Sequence, residues 1–155
     1  MSKVYNIKQI QKIPVSLDTA WDFFSKPENL QKITPANMHF QIISEHHGDI
    51  MHPGQIIEYK LKPLLGISMY WMTEITHVEP NKYFVDEQRY GPYSMWHHQH
   101  RFREIEGGVE MTDIVHYKMP FWFFGDLANA LFVKAQLKKI FEFRNEKVVE
   151  RFGSI

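Results

Sequence analysis

Residues 95–119 read MWHHQHRFREIEGGVEMTDIVHYKM, two stretches of alternating side chains separated by Glu106-Gly107-Gly108. Alternation with period two predicts two β-strands, and the glycines predict a tight turn between them. One face of each strand is mostly apolar, so we expect these faces to point into the core. They comprise Trp96, His98, His100 and Phe102 on the first strand, and Val109, Met111, Asp113, Val115, Tyr117 and Met119 on the second.

Three polar side chains interrupt these apolar faces, namely His98, His100 and Asp113. A turn at Glu106-Gly107 places Asp113 opposite His100, and a turn at Gly107-Gly108 places it opposite Phe102. Either register leaves the carboxylate within direct or diagonal reach of both histidines. Because buried polar groups need hydrogen-bond partners, we predict an inward cluster of two histidines and one aspartate.

A preceding strand over residues 82–90 can supply further partners for this cluster. A three-residue loop at 91–93 puts Asp86 opposite His98 and Gln88 opposite Trp96, whereas a two-residue loop presents Glu87 instead. We favour Asp86 and Gln88 as the inward residues.

The rest of the chain supplies two short helices, more strands and one long helix. Ser16 is a helix N-cap, and Leu17, Ala20, Trp21 and Phe24 follow at helical spacing. A second short helix is predicted at 28–33. Turn residues divide 38–119 into six strands, joined by connections too short for crossover helices. The apolar residues of 121–152 keep helical spacing, at Ala130, Val133, Leu137, Ile140, Phe141, Val148 and Phe152. We therefore expect an α+β fold.

Composition narrows the functions that the chain can have. Its 155 residues predict one domain, 1–155, with room for a core and a cavity. Lys plus Arg equal Asp plus Glu at 18 each, which argues against a nucleic-acid partner. Without cysteine there is no thiolate nucleophile or Cys-based metal site. The longest uncharged stretch, 63–73, is too short to span a bilayer, so we expect a cytoplasmic protein.

Several motifs resemble the START-like or SRPBCC superfamily, in a bacterial branch described as cyclase/dehydrase-like or ligand-binding. They are WDFF at 21–24 with PENL at 27–30, FVDEQ at 84–88 with GPY at 91–93, WHH at 96–98 with HRF at 100–102, and MTD at 111–113 followed by Tyr117. The resemblance implies a helix-grip fold, in which a curved seven-stranded antiparallel sheet wraps around a long C-terminal helix. The superfamily includes carriers, receptors and enzymes, so the fold alone does not select among them.

Our leading hypothesis is a binding protein for a small hydrophobic or amphipathic molecule, held between the sheet and the C-terminal helix. The candidate ligand-binding residues are Tyr59, Trp71, Asp86, Gln88, Trp96, His98, His100, Asp113 and Tyr117. The alternative is a cyclase- or dehydratase-type enzyme, in which His98 or His100 is the general acid or base and Asp113 orients it. We expect no organic cofactor and no metal, although a His-x-His pair with a carboxylate is a conceivable metal-ligand set.

Two further groups of residues are less directly tied to the cavity. Phe121, Trp122, Phe123 and Phe124 cannot all face inward, so they can gate the cavity, touch a membrane or bury in a homodimer, and a membrane is the least favoured. They can equally form a partner surface of a regulatory module. His46, His47 and His52 are interpreted as solvated loop residues.

Overall fold

The computed structural model describes residues 3–45, 50–64 and 66–155, with the side chains at 64, 122 and 123 left out. As predicted, one strand is followed by two short helices, six further strands and a helical C-terminal segment. In chain order they are β1 Val4–Ile13, α1 Leu17–Phe24, α2 Pro27–Lys32, β2 Gln41–Ile42, β3 Ile56–Leu64, β4 Ile67–Glu79, β5 Tyr83–Tyr90, β6 Met95–Ile105, β7 Gly108–Lys118, α3 Trp122–Ala128, a π-helical segment Asn129–Val133, and α4 Lys134–Phe152.

The strands of the described chain form one curved antiparallel sheet of seven members in the order β1-β7-β6-β5-β4-β3-β2. β1 pairs with β7, so the first and last strands are neighbours. Six of the strands follow one another as neighbours from β2 to β7, as short connections require. The predicted α+β helix-grip architecture is confirmed.

The turn between β6 and β7 fixes which side chains face each other. Ile105 pairs with Gly108, which leaves Glu106-Gly107 as the two-residue turn, and Gly107 has the positive φ of 83° that favours glycine there. Gly108 lies against the β1 end, where an added Cβ would be 2.1 Å from the carbonyl oxygen of Ile13. Of the two predicted registers, the one that pairs His100 with Asp113 is therefore correct.

The two short helices begin where the sequence places their caps, with one difference. The hydroxyl of Ser16 accepts a hydrogen bond from the backbone N–H of Thr19 (3.2 Å) and caps α1. The second helix starts at Pro27 rather than Glu28. Proline suits the first helical position because its missing N–H is not needed there.

The C-terminal helix packs its apolar face against the concave side of the sheet. Leu137, Phe141 and Val148 are buried on that face, as predicted. Ala130 is exposed, contrary to prediction, and Asn129 is buried in its place. The π-helical segment Asn129–Val133 explains the difference, because its wider turn shifts the helical phase ahead of α4. Among the described helices, none is both long and apolar enough to cross a membrane.

Candidate functional site

The β5–β6–β7 part of the sheet brings four polar side chains together on its inner face. Cα pairs join Asp86 to His98 and His100 to Asp113. The first pair corresponds to the three-residue loop at 91–93 rather than the two-residue alternative. Glu87 instead pairs with His97 and accepts a hydrogen bond from its Nδ1 (2.8 Å). The strand alternation thus separates an inner His/Asp cluster from an outer His/Glu pair.

The inner cluster consists of two adjacent, mutually tilted imidazoles held between two carboxylates. The rings of His98 and His100 are 3.7 Å apart between centroids and inclined by 36°. Nε2 of His98 donates to Oδ1 of Asp113 at 2.8 Å, and Nε2 of His100 donates to Oδ2 of Asp86 at 2.7 Å. We refer to these four residues as the His/Asp cluster.

The remaining imidazole nitrogens of the His/Asp cluster make poorer contacts. Nδ1 of His100 lies 3.0 Å from Oδ1 of Asp113, but it is buried and its direction does not make a hydrogen bond. Nδ1 of His98 lies 3.6 Å from Oδ2 of Asp86, beyond a good hydrogen bond. Both Nδ1 atoms therefore lack a good hydrogen bond, and Nδ1 of His98 is the one that is not counted among the solvent-inaccessible atoms.

The electrostatics of the His/Asp cluster favour two ionised carboxylates. Burial acts to raise the pKa of Asp113, but the close contacts with the imidazoles of His100 and His98 outweigh it, so the pKa lies well below the ordinary value. Burial also acts to raise the pKa of Asp86, and the electrostatic influence of the nearby His98 ring together with the hydrogen bond from His100 lowers it on balance.

The two histidines respond to the same surroundings in opposite directions. Burial lowers the pKa of His98, and the neighbouring charge of His100 lowers it further. Burial also acts to lower the pKa of His100, but its contacts with Asp113 and Asp86 outweigh burial and raise the pKa. The first proton taken up by the pair therefore belongs mainly to His100, which leaves His98 neutral near pH 7.

A cavity of about 170 Å³ lies between the sheet and the C-terminal helix, next to the His/Asp cluster. Its volume is close to that of an engineered protein cavity of about 150 Å³ that binds benzene. Asp86, His98 and His100 form the polar part of its wall. The aromatic residues of the wall are Phe24, Phe40, Tyr59, Trp71, Phe84, Tyr93, Trp96 and Phe141. The space suits a compact apolar molecule with one polar end.

The nine candidate ligand-binding residues occupy different positions around this cavity. Six belong to its wall: Tyr59, Trp71, Asp86, Trp96, His98 and His100. Asp113 is not part of the wall, but it contacts both wall histidines, His98 and His100. The Gln88 side chain is turned onto the β5–β6 loop, where it donates to the carbonyl of Tyr93 at 2.6 Å and accepts from its N–H. The Tyr117 hydroxyl donates to the buried Asn129 at 2.8 Å.

Besides the exposed Lys26, sequence reasoning missed one charged residue of the cavity wall, Arg144. It follows Phe141 by three residues and precedes Val148 by four, so it lies on the buried face of α4. The sequence contained a signal for it, because an arginine at helical spacing between apolar core residues is unusual. The Cζ atom of its guanidinium lies 5.2 Å from the centroid of the Phe141 ring.

Three members of the His/Asp cluster also form a possible metal-ligand set. Single ligand atoms of Asp86, His98 and His100 lie within 4.8 Å of one another. Within the cluster, Nε2 of His100 and Nε2 of His98 make charge-assisted hydrogen bonds at 2.7 Å and 2.8 Å to Asp86 and Asp113.

The other residues singled out in the sequence lie outside the cavity wall or outside the described chain. Phe121 and Phe124 are 80% and 76% exposed, and Phe121 has a left-handed backbone conformation with φ of 61°. The side chains of Trp122 and Phe123 and the residues His46 and His47 lie outside the described set. His52 is exposed, in keeping with a solvated loop histidine.

A seven-stranded antiparallel sheet curved over a C-terminal helix, with a cavity between them, defines a START-like protein of the helix-grip fold. The chain belongs to the family described as polyketide cyclase/dehydrase and lipid transport, whose pattern matches residues 13–144. No curated protein sequence matches the chain.

Solved structures similar to this chain share its fold at low sequence identity. Protein CV1439 from Chromobacterium violaceum is 10% identical with a TM-score of 0.72, covering 97% of this chain and 99% of its own. Major latex-like protein 151 from Panax ginseng is 12% identical with a TM-score of 0.69, covering 96% and 97%. Protein Ms6760 from Mycobacterium smegmatis is 13% identical with a TM-score of 0.67, covering 97% and 96%. At these identities the likeness establishes the fold alone.

Proposed function

We propose that this protein binds a small hydrophobic or amphipathic molecule in the cavity between the sheet and α4. The observation that carries the proposal is the composition of the cavity wall. Aromatic side chains line most of it, and Asp86, His98 and His100 of the His/Asp cluster form a polar patch in it. The apolar body of a ligand would gain from leaving water, and its polar end would be oriented by His98, His100 and Asp86. Asp113 would hold both imidazoles in position.

The size of the cavity favours a ligand with one ring or a short chain over a large lipid. A volume of about 170 Å³ leaves little room for more than one ring without movement of the wall. Trp71 and Trp96 meet edge to face at 5.4 Å between centroids and present ring surfaces to the space. Such surfaces suit a flat aromatic ligand.

Native mass spectrometry of the purified protein, before and after denaturation, tests this proposal. We expect an additional mass in the native state that is lost on denaturation. Gln136 lies in the cavity wall on α4 and its neighbour Ala135 is exposed, so Gln136→Trp fills the space and Ala135→Trp is a matched control. The additional mass should be absent in the first variant and retained in the second. Retention in both variants would contradict binding in this cavity.

One observation favours a second function, acid–base catalysis of the cyclase or dehydratase kind. His98 is buried and neutral near pH 7, its Nε2 is fixed by Asp113, and its Nδ1 faces no well-placed partner. Such an imidazole could take an α-proton from a β-hydroxy ketone while a protonated His100 gives a proton to the departing hydroxyl, which leaves as water. The alkene product is a conjugated enone.

The β-hydroxy ketone 4-hydroxy-4-phenylbutan-2-one is a suitable probe for this second function. An enzyme would convert it to the enone with a mass loss of one water, and His98→Gln would abolish the conversion. His97→Gln, which changes the neighbouring imidazole on the outer face, is the matched control and should leave the rate unchanged. No conversion above the rate in buffer would leave binding as the proposed function.

A further inference from the structure

We infer that the ligand carries a carboxylate or another oxyanion and that Arg144 binds it. This inference rests on the proposed function, because it names the chemistry of the molecule that the cavity holds. The observation behind it is a cation in the cavity wall whose hydrogen-bonding capacity the protein leaves unused.

Arg144 reaches the cavity from the buried face of α4. The residue is half-buried, and its Nε is inaccessible to solvent and has no hydrogen-bond partner in the described part of the chain. Among the described residues, its guanidinium makes a cation–π contact with the Phe141 ring, 5.2 Å from the ring centroid. A guanidinium offers five N–H donors, and the four on Nη1 and Nη2 are the ones that a ligand could reach, because Nε is enclosed.

The carboxylates nearest to Arg144 are already engaged. Asp86 and Asp113 act on its charge from a distance, but within the described residues neither forms an ion pair with it. Their oxygens accept instead from His100 and His98. Burial lowers the pKa of Arg144, yet an arginine stays protonated at neutral pH. The site therefore holds a desolvated positive charge without a matched acceptor, an arrangement that costs free energy unless a ligand supplies one.

Arg144 stands where the main cavity meets a smaller recess of about 30 Å³, and both spaces share Arg144 and His100. A planar carboxylate placed there would meet the guanidinium fork with two parallel hydrogen bonds. Lys26 borders the same spaces, but its Nζ is paired with Asp22 at 2.6 Å and the side chain is half exposed. Arg144 is thus the cation fitted to a buried anion.

Charge balance is compatible with an anionic ligand. With Asp86 and Asp113 ionised, and His100 and Arg144 protonated, the described charged groups of the site sum to zero before a ligand binds. A carboxylate placed at the recess would lie beside Arg144 and His100, the two groups of the site whose protonated forms are positive. The ligand charge would then face both cations of the site directly.

Two probes of equal shape test the inference on the full chain: 4-ethylbenzoate and its neutral amide, 4-ethylbenzamide. Binding is followed by NMR, through the indole N–H signals of Trp71 and Trp96 in the cavity wall. Because hydrogen bonds to charged groups are stronger than neutral ones, we expect the carboxylate to bind about tenfold more tightly than the amide, or more.

Substitution of the arginine should remove this preference. Arg144→Met keeps much of the side-chain volume and should weaken 4-ethylbenzoate about tenfold while changing 4-ethylbenzamide less than about twofold. Arg144→Gln, a second neutral variant, should act in the same direction. Lys138→Met on the exposed face of α4 removes a cation that faces Glu142 at 3.6 Å, and it should leave both affinities unchanged.

Each outcome decides between the inference and its alternatives. Equal affinity of the unmodified chain for both probes would overturn the inference and leave cavity binding standing. An equal loss of affinity for both probes on substitution of Arg144 would have the same meaning. Binding of neither probe would contradict the proposed function itself. The comparison of the two probes on the unmodified chain does not depend on whether the variants fold.

Discussion

Replacing Asp113 by Asn should destabilise the fold in a way that depends on pH. The substitution keeps the shape of the side chain and removes the charge that accepts from His98 at 2.8 Å and faces His100 at 3.0 Å. Breaking a buried ion pair by neutralising one partner typically costs about 3–5 kcal/mol. Taking the lower figure of about 3 kcal/mol, at ~2–4 °C per kcal/mol for a chain of this size, Tm should fall by about 6–12 °C at pH 6.

The pH dependence follows from the directions of two pKa shifts. The pKa of Asp113 is lowered on folding, so its contribution is present above the unfolded pKa of about 3.9 and is lost as pH falls toward the folded pKa. The pKa of His100 is raised, so its contribution is complete below its unfolded pKa of about 6.5 and is lost as pH rises through the folded pKa. The gap in unfolding free energy between the two proteins should therefore be largest between about pH 4 and 6.5 and shrink on both sides.

Urea unfolding followed by circular dichroism from acid to alkaline pH measures this gap. Glu110→Gln is the matched control, since Glu110 lies on the outer face of the same strand and accepts from the exposed Arg103 at 2.8 Å. An exposed pair of this kind contributes only about 0–1 kcal/mol. A gap for Asp113→Asn that stays flat across the pH range, or one no larger than that of the control, would refute the assignment of Asp113 as the charged partner of both histidines.

Two further predictions concern protonation and backbone packing. In an NMR titration, the ring protons of His100 should report an apparent pKa above 6.5 and those of His98 one below it; equal midpoints for the two rings would contradict the opposite shifts. Gly125→Ala should destabilise the fold by about 1–3 kcal/mol or more, as overpacking does, because a Cβ there would lie 1.9 Å from the carbonyl oxygen of Pro120. Thermal unfolding measures this, with Gly54→Ala as a control that meets no atom within 4 Å and is affected only through its φ of 86°.

The sequence was sufficient to predict the strands and to reduce the β6–β7 pairing to two registers, because strand periodicity and turn length are local properties. Once Gly107 fixes a two-residue turn, every pair along β6 and β7 follows, including His100 with Asp113. The inner face of β7 alternates without interruption from Val109 to Met119, so nothing shifts the register between the turn and the cluster. A local signal was therefore enough to predict the histidine–aspartate part of the candidate site.

Features that depend on three-dimensional packing could not be predicted in this way. A backbone register places Gln88 on the strand but does not decide that its amide turns onto the backbone of Tyr93. A regular α-helical period would point Ala130 toward the core. The wider turn of the π-helical segment instead buries Asn129, which accepts a hydrogen bond from the Tyr117 hydroxyl. Both outcomes depend on side-chain hydrogen bonds, from Gln88 to the adjoining loop and from Tyr117 to Asn129, that strand and helix periodicity do not specify.

Arg144 shows how the two kinds of information combine at the candidate site. The sheet contributes imidazoles and carboxylates that largely satisfy one another, so their capacity for a ligand is limited to groups such as Nδ1 of His98. The helix contributes a cation whose Nε has no partner in the described chain. A buried group with unused donors discriminates among ligands more sharply than one that is already hydrogen-bonded. A ligand that leaves the donors unpaired incurs their desolvation cost without gaining a hydrogen bond. The specificity of the cavity should therefore reside mainly on α4, and the sheet should mainly position the ligand.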